Sequence, residues 1–209
     1  MQVCDIRNPR VLGLLDHFRY LYREKYDVTQ TSKPLGKPDR YFTSCEYRDI
    51  ITGMGRDHIG SPETAYSYPI KPEHYGGNDP QYAKDFAEID MALKTELGIA
   101  SNALSQLYPP EGFIAWHNNA NAVGYNLIFT WSETGEGWFK YLDKYGKEIL
   151  ITDKKGWSLK AGYFGDYDDG RVCYHTAYTK CWRLTQSFVV HPNDVDYWQD
   201  CIDYIGDEL

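Results

Sequence analysis

The sequence has no run of about 18 apolar residues, so no segment of it reads as a membrane-spanning helix. It has no Cys-X-X-Cys pair, and its five cysteines, Cys4, Cys45, Cys173, Cys181 and Cys201, are an odd number that suits no closed disulfide framework. A reducing, cytoplasmic setting is expected from this, and the stretch Met1-Gln-Val-Cys-Asp-Ile-Arg7 lacks the apolar centre of a signal peptide. Basic clusters are also missing. Lys and Arg number 22 against 30 Asp and Glu, a formal charge of −8, which argues against long-range attraction to a phosphate backbone. Neither nucleic acid nor a membrane is an expected partner. There is no internal repeat or low-complexity tract, and 209 residues fit one domain with a sizeable core.

The chain opens with a helix signal. Asn8 can cap a free amide, Pro9 takes the first helical position, and Val11, Leu14, Leu15, Phe18 and Tyr22 recur at helical spacing. From Asp27 to about Gly77, Pro and Gly interrupt the chain too often for long elements. Gly53-Met54-Gly55 in this region is read as a loop, and Ser61 to Tyr82 is long enough to form a lid. A second helix opens at Asp79-Pro80, carries Tyr82, Phe86, Ile89, Leu93 and Leu97 on one face, and stops at Gly98.

Short strands follow with turn residues between them: Ala103 to Tyr108, Gly112 to His117, Tyr125 to Trp131, Gly137 to Leu142, Glu148 to Thr152, Trp157 to Phe164 and Thr179 to Val190. Asn193 caps a last helix with Val195, Trp198, Ile202 and Ile205 on its apolar side. Strands at this spacing without intervening helices predict an antiparallel sandwich or barrel. The expected division is a helical and loop support over 1–100, a β core over 101–190 and a C-terminal helix over 191–209.

Two histidines mark the chemistry of the β core. Neutral imidazole suits transition metals, and His117 and His175 stand at the end of one early strand and the start of a late one. Strand alternation lets His117 and Asn119 face the same side. It also puts Cys181, Arg183, Thr185 and Ser187 on one face and Trp182, Leu184, Gln186 and Phe188 on the other. An inward arginine is costly unless it meets an anion, and its fork suits a carboxylate.

Trp116-His-Asn-Asn119, the strand Gly137-Trp-Phe-Lys-Tyr141, Gly156-Trp157, His175 and Arg183-Leu-Thr185 together resemble the core of the iron(II)- and 2-oxoglutarate-dependent oxygenases. The likeness is to their compact, prolyl-hydroxylase-like members and runs over Ala103 to Val190. It implies a mainly β fold with flanking helices (α+β), a cupin-like double-stranded β-helix or jelly roll. The activity implied is C–H oxidation of a small-molecule or peptide substrate, with Fe(II), 2-oxoglutarate and O2 consumed or bound and succinate and CO2 released. The residues carried over are His117, His175 and, in the place of the motif's carboxylate, Asn119 as metal ligands. Arg183 and Thr185 are expected on the far carboxylate of 2-oxoglutarate, with Tyr108 and Tyr125 as further hydrogen-bonding candidates.

Asn119 departs from the family pattern, because a neutral amide gives up the negative charge that helps hold a dication. Three readings follow from it. The chain is a halogenase-like variant with chloride in that place, or it draws a third ligand from Asp166, Asp168 or Asp169, or it is a degenerate jelly-roll binding module. A zinc-binding or cupin-like jelly roll without oxygen chemistry is a further alternative.

Overall fold

The computed structural model describes residues 1–26, 29, 39–56, 61–67, 80–120 and 122–208. Strand β1 (Gln2–Cys4) leads into helix α1 (Pro9–Tyr20), whose Asn8 side chain accepts hydrogen bonds from the amides of Arg10 and Val11. A π-helical turn, Leu21–Lys25, extends α1. The Pro- and Gly-rich region holds more structure than its punctuation suggests. It contains a 3-10 turn at Arg40–Thr43, helix α2 (Cys45–Gly53), and the two-residue strands β2 (Glu63–Thr64) and β3 (Tyr66–Ser67). Ser44 caps α2 by accepting from the Tyr47 amide, a signal obscured by the surrounding breakers. Gly53-Met54-Gly55 is therefore the end of a helix and the turn after it. Most of the expected lid, residues 68–79, lies outside the described residues.

Helix α3 (Pro80–Leu97) stops where expected. Gly98 takes φ +63°, and a side chain there would run into the Tyr197 hydroxyl, which donates to the Leu97 carbonyl. Eight strands follow: β4 (Ser101–Tyr108), β5 (Phe113–His117), β6 (Gly124–Ser132), β7 (Gly137–Leu142), β8 (Glu148–Thr152), β9 (Gly156–Phe164), β10 (His175–Thr179) and β11 (Arg183–Val190). Helix α4 (Val195–Gly206) closes the chain. The run expected as Thr179 to Val190 is two elements, the end of β10 and all of β11, because Lys180, Cys181 and Trp182 turn the chain from one sheet to the other.

All strand pairs between named strands are antiparallel, in two sheets ordered β1-β9-β6-β11-β4-β3 and β2-β5-β10-β7-β8. From β4 to β11 the chain visits the large, small, large, small, small, large, small and large sheet in turn. That winding is the double-stranded β-helix, a jelly roll. The outer face of the large sheet packs Leu107, Leu127, Phe129, Leu159, Leu184 and Phe188 against the apolar faces of α1, α3 and α4. Phe42 and Tyr47 cover Phe113, Ala115 and Tyr178 on the outside of the small sheet. Both sheets are thus covered outside, and their inner faces are left to line a cavity. Among the described residues no helix is long and apolar enough to cross a membrane.

Candidate functional site

The space between the sheets is a cavity of about 490 Å3, walled by β4, β6 and β11 on one side and β5, β7 and β10 on the other. His117 and His175 face each other across the β5–β10 ladder as directly paired residues, with ring centroids 4.1 Å apart. The ladder shifts register between His175 and Ala177, whose partners are His117 and Ile114, so two residues of β5 bulge opposite one of β10. This irregularity brings Ile114 and His117, three apart in sequence, onto the same inner face.

Each imidazole is oriented by its own strand. His117 Nδ1 lies 2.8 Å from the Ala115 carbonyl oxygen, and His175 Nδ1 lies 2.9 Å from that of Cys173. A carbonyl oxygen can only accept, so Nδ1 carries a proton in both rings, and in a neutral ring so held Nε2 is the nitrogen with the lone pair. Metal-binding imidazoles are commonly fixed by this kind of outer hydrogen bond. Phe139 stacks on His175 at 5.5 Å and Phe164 leans on it at 4.6 Å. Burial, and then the neighbouring His117, push the His175 pKa well below its ordinary value, against the raising effect of the Cys173 carbonyl. His175 is therefore neutral, the form that binds metals.

Asn119 lines the same cavity but lies past the end of β5, so strand alternation does not set its direction. The turn it belongs to is pinned by its neighbour. Asn118 is buried, accepts from the Ala120 amide, and donates to the Tyr167 hydroxyl and the Arg56 carbonyl at 3.0 and 3.3 Å. Among the described residues no three His, Cys, Asp or Glu side chains converge as a metal-binding group. Two of the three aspartates of the 166–169 loop are engaged locally: Asp166 accepts from the Asp169 amide, and Asp169 binds Tyr163 and Arg171, while Asp168 is exposed.

On the large sheet, Arg183, Thr185 and Ser187 line the cavity, whereas Leu184 and Phe188 pack outward toward the helices. The Arg183 side chain is 2 % exposed and already holds a carboxylate. Its Nε donates to Asp153 Oδ2 at 2.8 Å and its Nη1 to Thr185 Oγ1 at 2.8 Å, while Nη2 has no protein partner among the described residues. Lys160 Nζ donates to the other Asp153 oxygen at 2.9 Å. Gly137 makes room for this carboxylate, because a Cβ there would lie 2.5 Å from Asp153 Oδ2.

Two cations on one anion leave the buried cluster positive. Burial drives the Lys160 pKa down to about 8, with Arg183 adding to the fall and Asp153 opposing it. For Asp153, burial raises the pKa, but the charges of Arg183 and Lys160 together prevail and hold it below the usual carboxylate value. The Thr130 hydroxyl, cross-strand from Thr185 and Ser158, is buried with no hydrogen-bond partner among the described residues. Where this net positive cluster reaches the cavity, at Arg183 and Thr185, it makes a floor suited to an anion.

Of the two tyrosine candidates, one is at the site. Tyr108 is buried, lies under the Arg183 guanidinium with its ring centroid 5.3 Å from Cζ, and donates to Gln106 Oε1. Tyr125 is not at the cavity. The alternation of β6 turns Asn126 and Ile128 inward and Tyr125 outward, where it packs on Tyr163 and Trp198. Sequence reasoning missed Asp153, Lys160 and Glu63. Lys160 had a signal, since it stands at an inward position between the outward Leu159 and Ala161 of β9. Asp153 sits in a turn and Glu63 among breakers, where no periodicity marks a direction.

No protein-family model matches the chain, and no curated protein matches it in sequence. Solved structures similar in shape include a Pseudomonas putida prolyl-4-hydroxylase, at 15 % identity and TM-score 0.44, covering 90 % of this chain and 91 % of that one. A Trichoplax adhaerens prolyl hydroxylase, solved with a hypoxia-inducible-factor oxygen degradation domain peptide, is similar at 10 % identity and TM-score 0.46, covering 95 % and 85 %. A full-length Neurospora crassa protein solved in complex with alpha-KG follows at 9 % identity and TM-score 0.37, covering 85 % and 70 %. The likenesses are loose, and the jelly-roll assignment rests on the order and register of the strands themselves.

Proposed function

We propose that this protein is an Fe(II)- and 2-oxoglutarate-dependent oxygenase acting on a small-molecule or peptide substrate. The observation that carries the reading is the cross-strand pair His117 and His175, each held by an Nδ1 hydrogen bond to a backbone carbonyl, in one cavity with a buried positive cluster at Arg183. Two facing imidazoles fit a transition metal, and the anion floor fits a dicarboxylate whose other end reaches that metal. His117 and His175 would hold iron, with Asn119 or water completing the set. When bound, iron with 2-oxoglutarate and O2 supplies oxidation of a substrate C–H bond, with release of succinate and CO2.

The protein's own residues bind and orient. Arg183, held in place by Asp153, offers Nη2 to the far carboxylate, and Thr185 fixes the guanidinium plane. Tyr108 shields the ion pair from water, and Phe139 and Phe164 keep the His175 ring dry and in one orientation. The test is anaerobic addition of Fe(II) and 2-oxoglutarate together. A visible charge-transfer band that neither gives alone is expected, and 2-oxoglutarate binding that is indifferent to metal would sink the reading.

The same floor makes cosubstrate affinity depend on pH. With the Lys160 pKa at about 8, an incoming anion favours the protonated form, so binding takes up a proton as pH passes that value. Affinity for 2-oxoglutarate is therefore expected to be level below about pH 7 and to fall between about pH 8 and 10 as the cluster loses its surplus charge. Lys160→Met should remove that fall, and titration calorimetry at about pH 7 and 9 reads both.

A second reading, a jelly-roll binding module without turnover, is favoured by one observation: no third acidic ligand converges on the histidines among the described residues. Succinate release measured with and without added iron separates the two.

A further inference from the structure

The residues 63–67 cross from the edge of one sheet to the edge of the other. Glu63 and Thr64 pair with Ile114 and Phe113 at the edge of the small sheet, and Tyr66 and Ser67 pair with Leu107 and Gln106 at the edge of the large one. Cross-strand partners project to the same face, so Glu63 follows Ile114 into the cavity, while Phe113, opposite Thr64, turns to the outer cluster. Gln106, reaching from the opposite sheet, donates from Nε2 to Glu63 Oε2 at 2.6 Å.

Among the described residues that line the cavity, Glu63 is the one carboxylate. Its Oε2 is taken by Gln106, but among the described residues its Oε1 has no protein partner, and no Lys, Arg or His pairs with it. The cavity's own cation, Arg183, is already bound to Asp153 and is separated from Glu63 by Gln106 and Tyr108. The cavity is thus polarised, with a net positive floor whose cations share Asp153 and, at its side, a carboxylate that no cation pairs with among the described residues. Burial raises the Glu63 pKa, with the Gln106 hydrogen bond opposing it, as befits a partly desolvated acid lacking a counter-charge. A cationic group placed there would supply it.

We propose that Glu63 is a substrate-recognising residue and that the substrate presents an amine, as its ammonium ion, to the Glu63 carboxylate. This rests on the oxygenase reading for the word substrate, but the cation subsite itself needs neither iron nor 2-oxoglutarate. Ammonium donates to Oε1 while Gln106 holds Oε2, so both carboxylate oxygens are satisfied and the bound group is fixed relative to the two histidines. A carboxylate or phosphate in that position would meet like charge, so acidic molecules are excluded from the subsite.

The test uses n-butylammonium, n-butanol and butyrate as probes on the full-length protein, with affinities read by ligand-observed NMR. The ammonium ion is expected to bind at least about tenfold more tightly than the alcohol, and butyrate not to bind at this subsite. Glu63→Gln, nearly isosteric, should abolish that preference and leave the alcohol unchanged, and Glu63→Asp, which keeps the charge, should retain part of it. Equal affinity for ammonium and alcohol in the parent, or a preference that survives Glu63→Gln, overturns the proposal. Metal-dependent 2-oxoglutarate binding is measured alongside. If it is present while the parent shows no ammonium preference, the subsite fails and the oxygenase reading stands. If it is absent while the preference and its loss in Glu63→Gln are seen, the subsite stands and the oxygenase reading fails.

Discussion

Asp153→Asn is expected to cost about 3 to 5 kcal/mol of folding stability, a large share of the roughly 5 to 15 kcal/mol that holds an ordinary domain together. The side chains of Asp153, Lys160 and Arg183 are 0 %, 1 % and 2 % exposed. Asparagine keeps the shape and some of the hydrogen bonding but leaves two buried cations facing each other without an anion. Chemical denaturation measures the loss, and a drop below about 1 kcal/mol would mean that Lys160 gives up its proton once Asp153 is gone, so that no second cation is stranded. Adding Lys160→Met to Asp153→Asn removes one of the two stranded charges and should recover most of the loss.

The same carboxylate sets an acid limit. Burial raises the Asp153 pKa, but Arg183 and Lys160 outweigh it, so the folded value lies below the ordinary 3.8. Stability from this group is complete above the unfolded value and is lost as pH falls through the lower folded one. The parent should therefore lose stability toward about pH 3 more steeply than Asp153→Asn does.

His175→Ala and His117→Ala are each expected to lower Fe(II) affinity by more than about a hundredfold, since removing a ligand costs more than the roughly 10- to 100-fold typical of its outer hydrogen-bonding partner. The metal-dependent band with 2-oxoglutarate should vanish with it. His175→Ala also opens space beside Phe139 and Phe164, so a folding measurement must accompany the titration. His175→Gln, which fills the volume better, serves as the control. Asn119→Asp gives the opposite sign. If Asn119 reaches the metal from its place beyond β5, an ionised carboxylate there raises Fe(II) affinity, and more so as pH rises through its titration. Anaerobic calorimetry at two pH values decides it. Indifference to Asn119→Asp would take Asn119 out of the metal's reach and leave water or chloride as the third ligand.

Much of this was legible in the chain. The spacing of Val11, Leu15 and Phe18, of Phe86, Ile89, Leu93 and Leu97, and of Ile202 and Ile205 determined three helices with one apolar face each, because burial acts on a fixed helical period. Alternation in Arg183-Leu-Thr-Gln-Ser-Phe188 determined which side of β11 faces the cavity, since a strand has only two faces. The positions of His117 and His175 at strand ends were also readable.

Only the tertiary structure decided the rest. That His117 and His175 are cross-strand partners depends on a bulge in β5, and register is a relation between strands that neither strand encodes alone. Tyr125 turns to the helices because the sheet as a whole presents that face outward, a choice local pattern leaves open. Asp153 and Glu63 come from a turn and an edge segment, where no repeating period points a side chain, and they reach Arg183 and the cavity only because the two sheets close on each other.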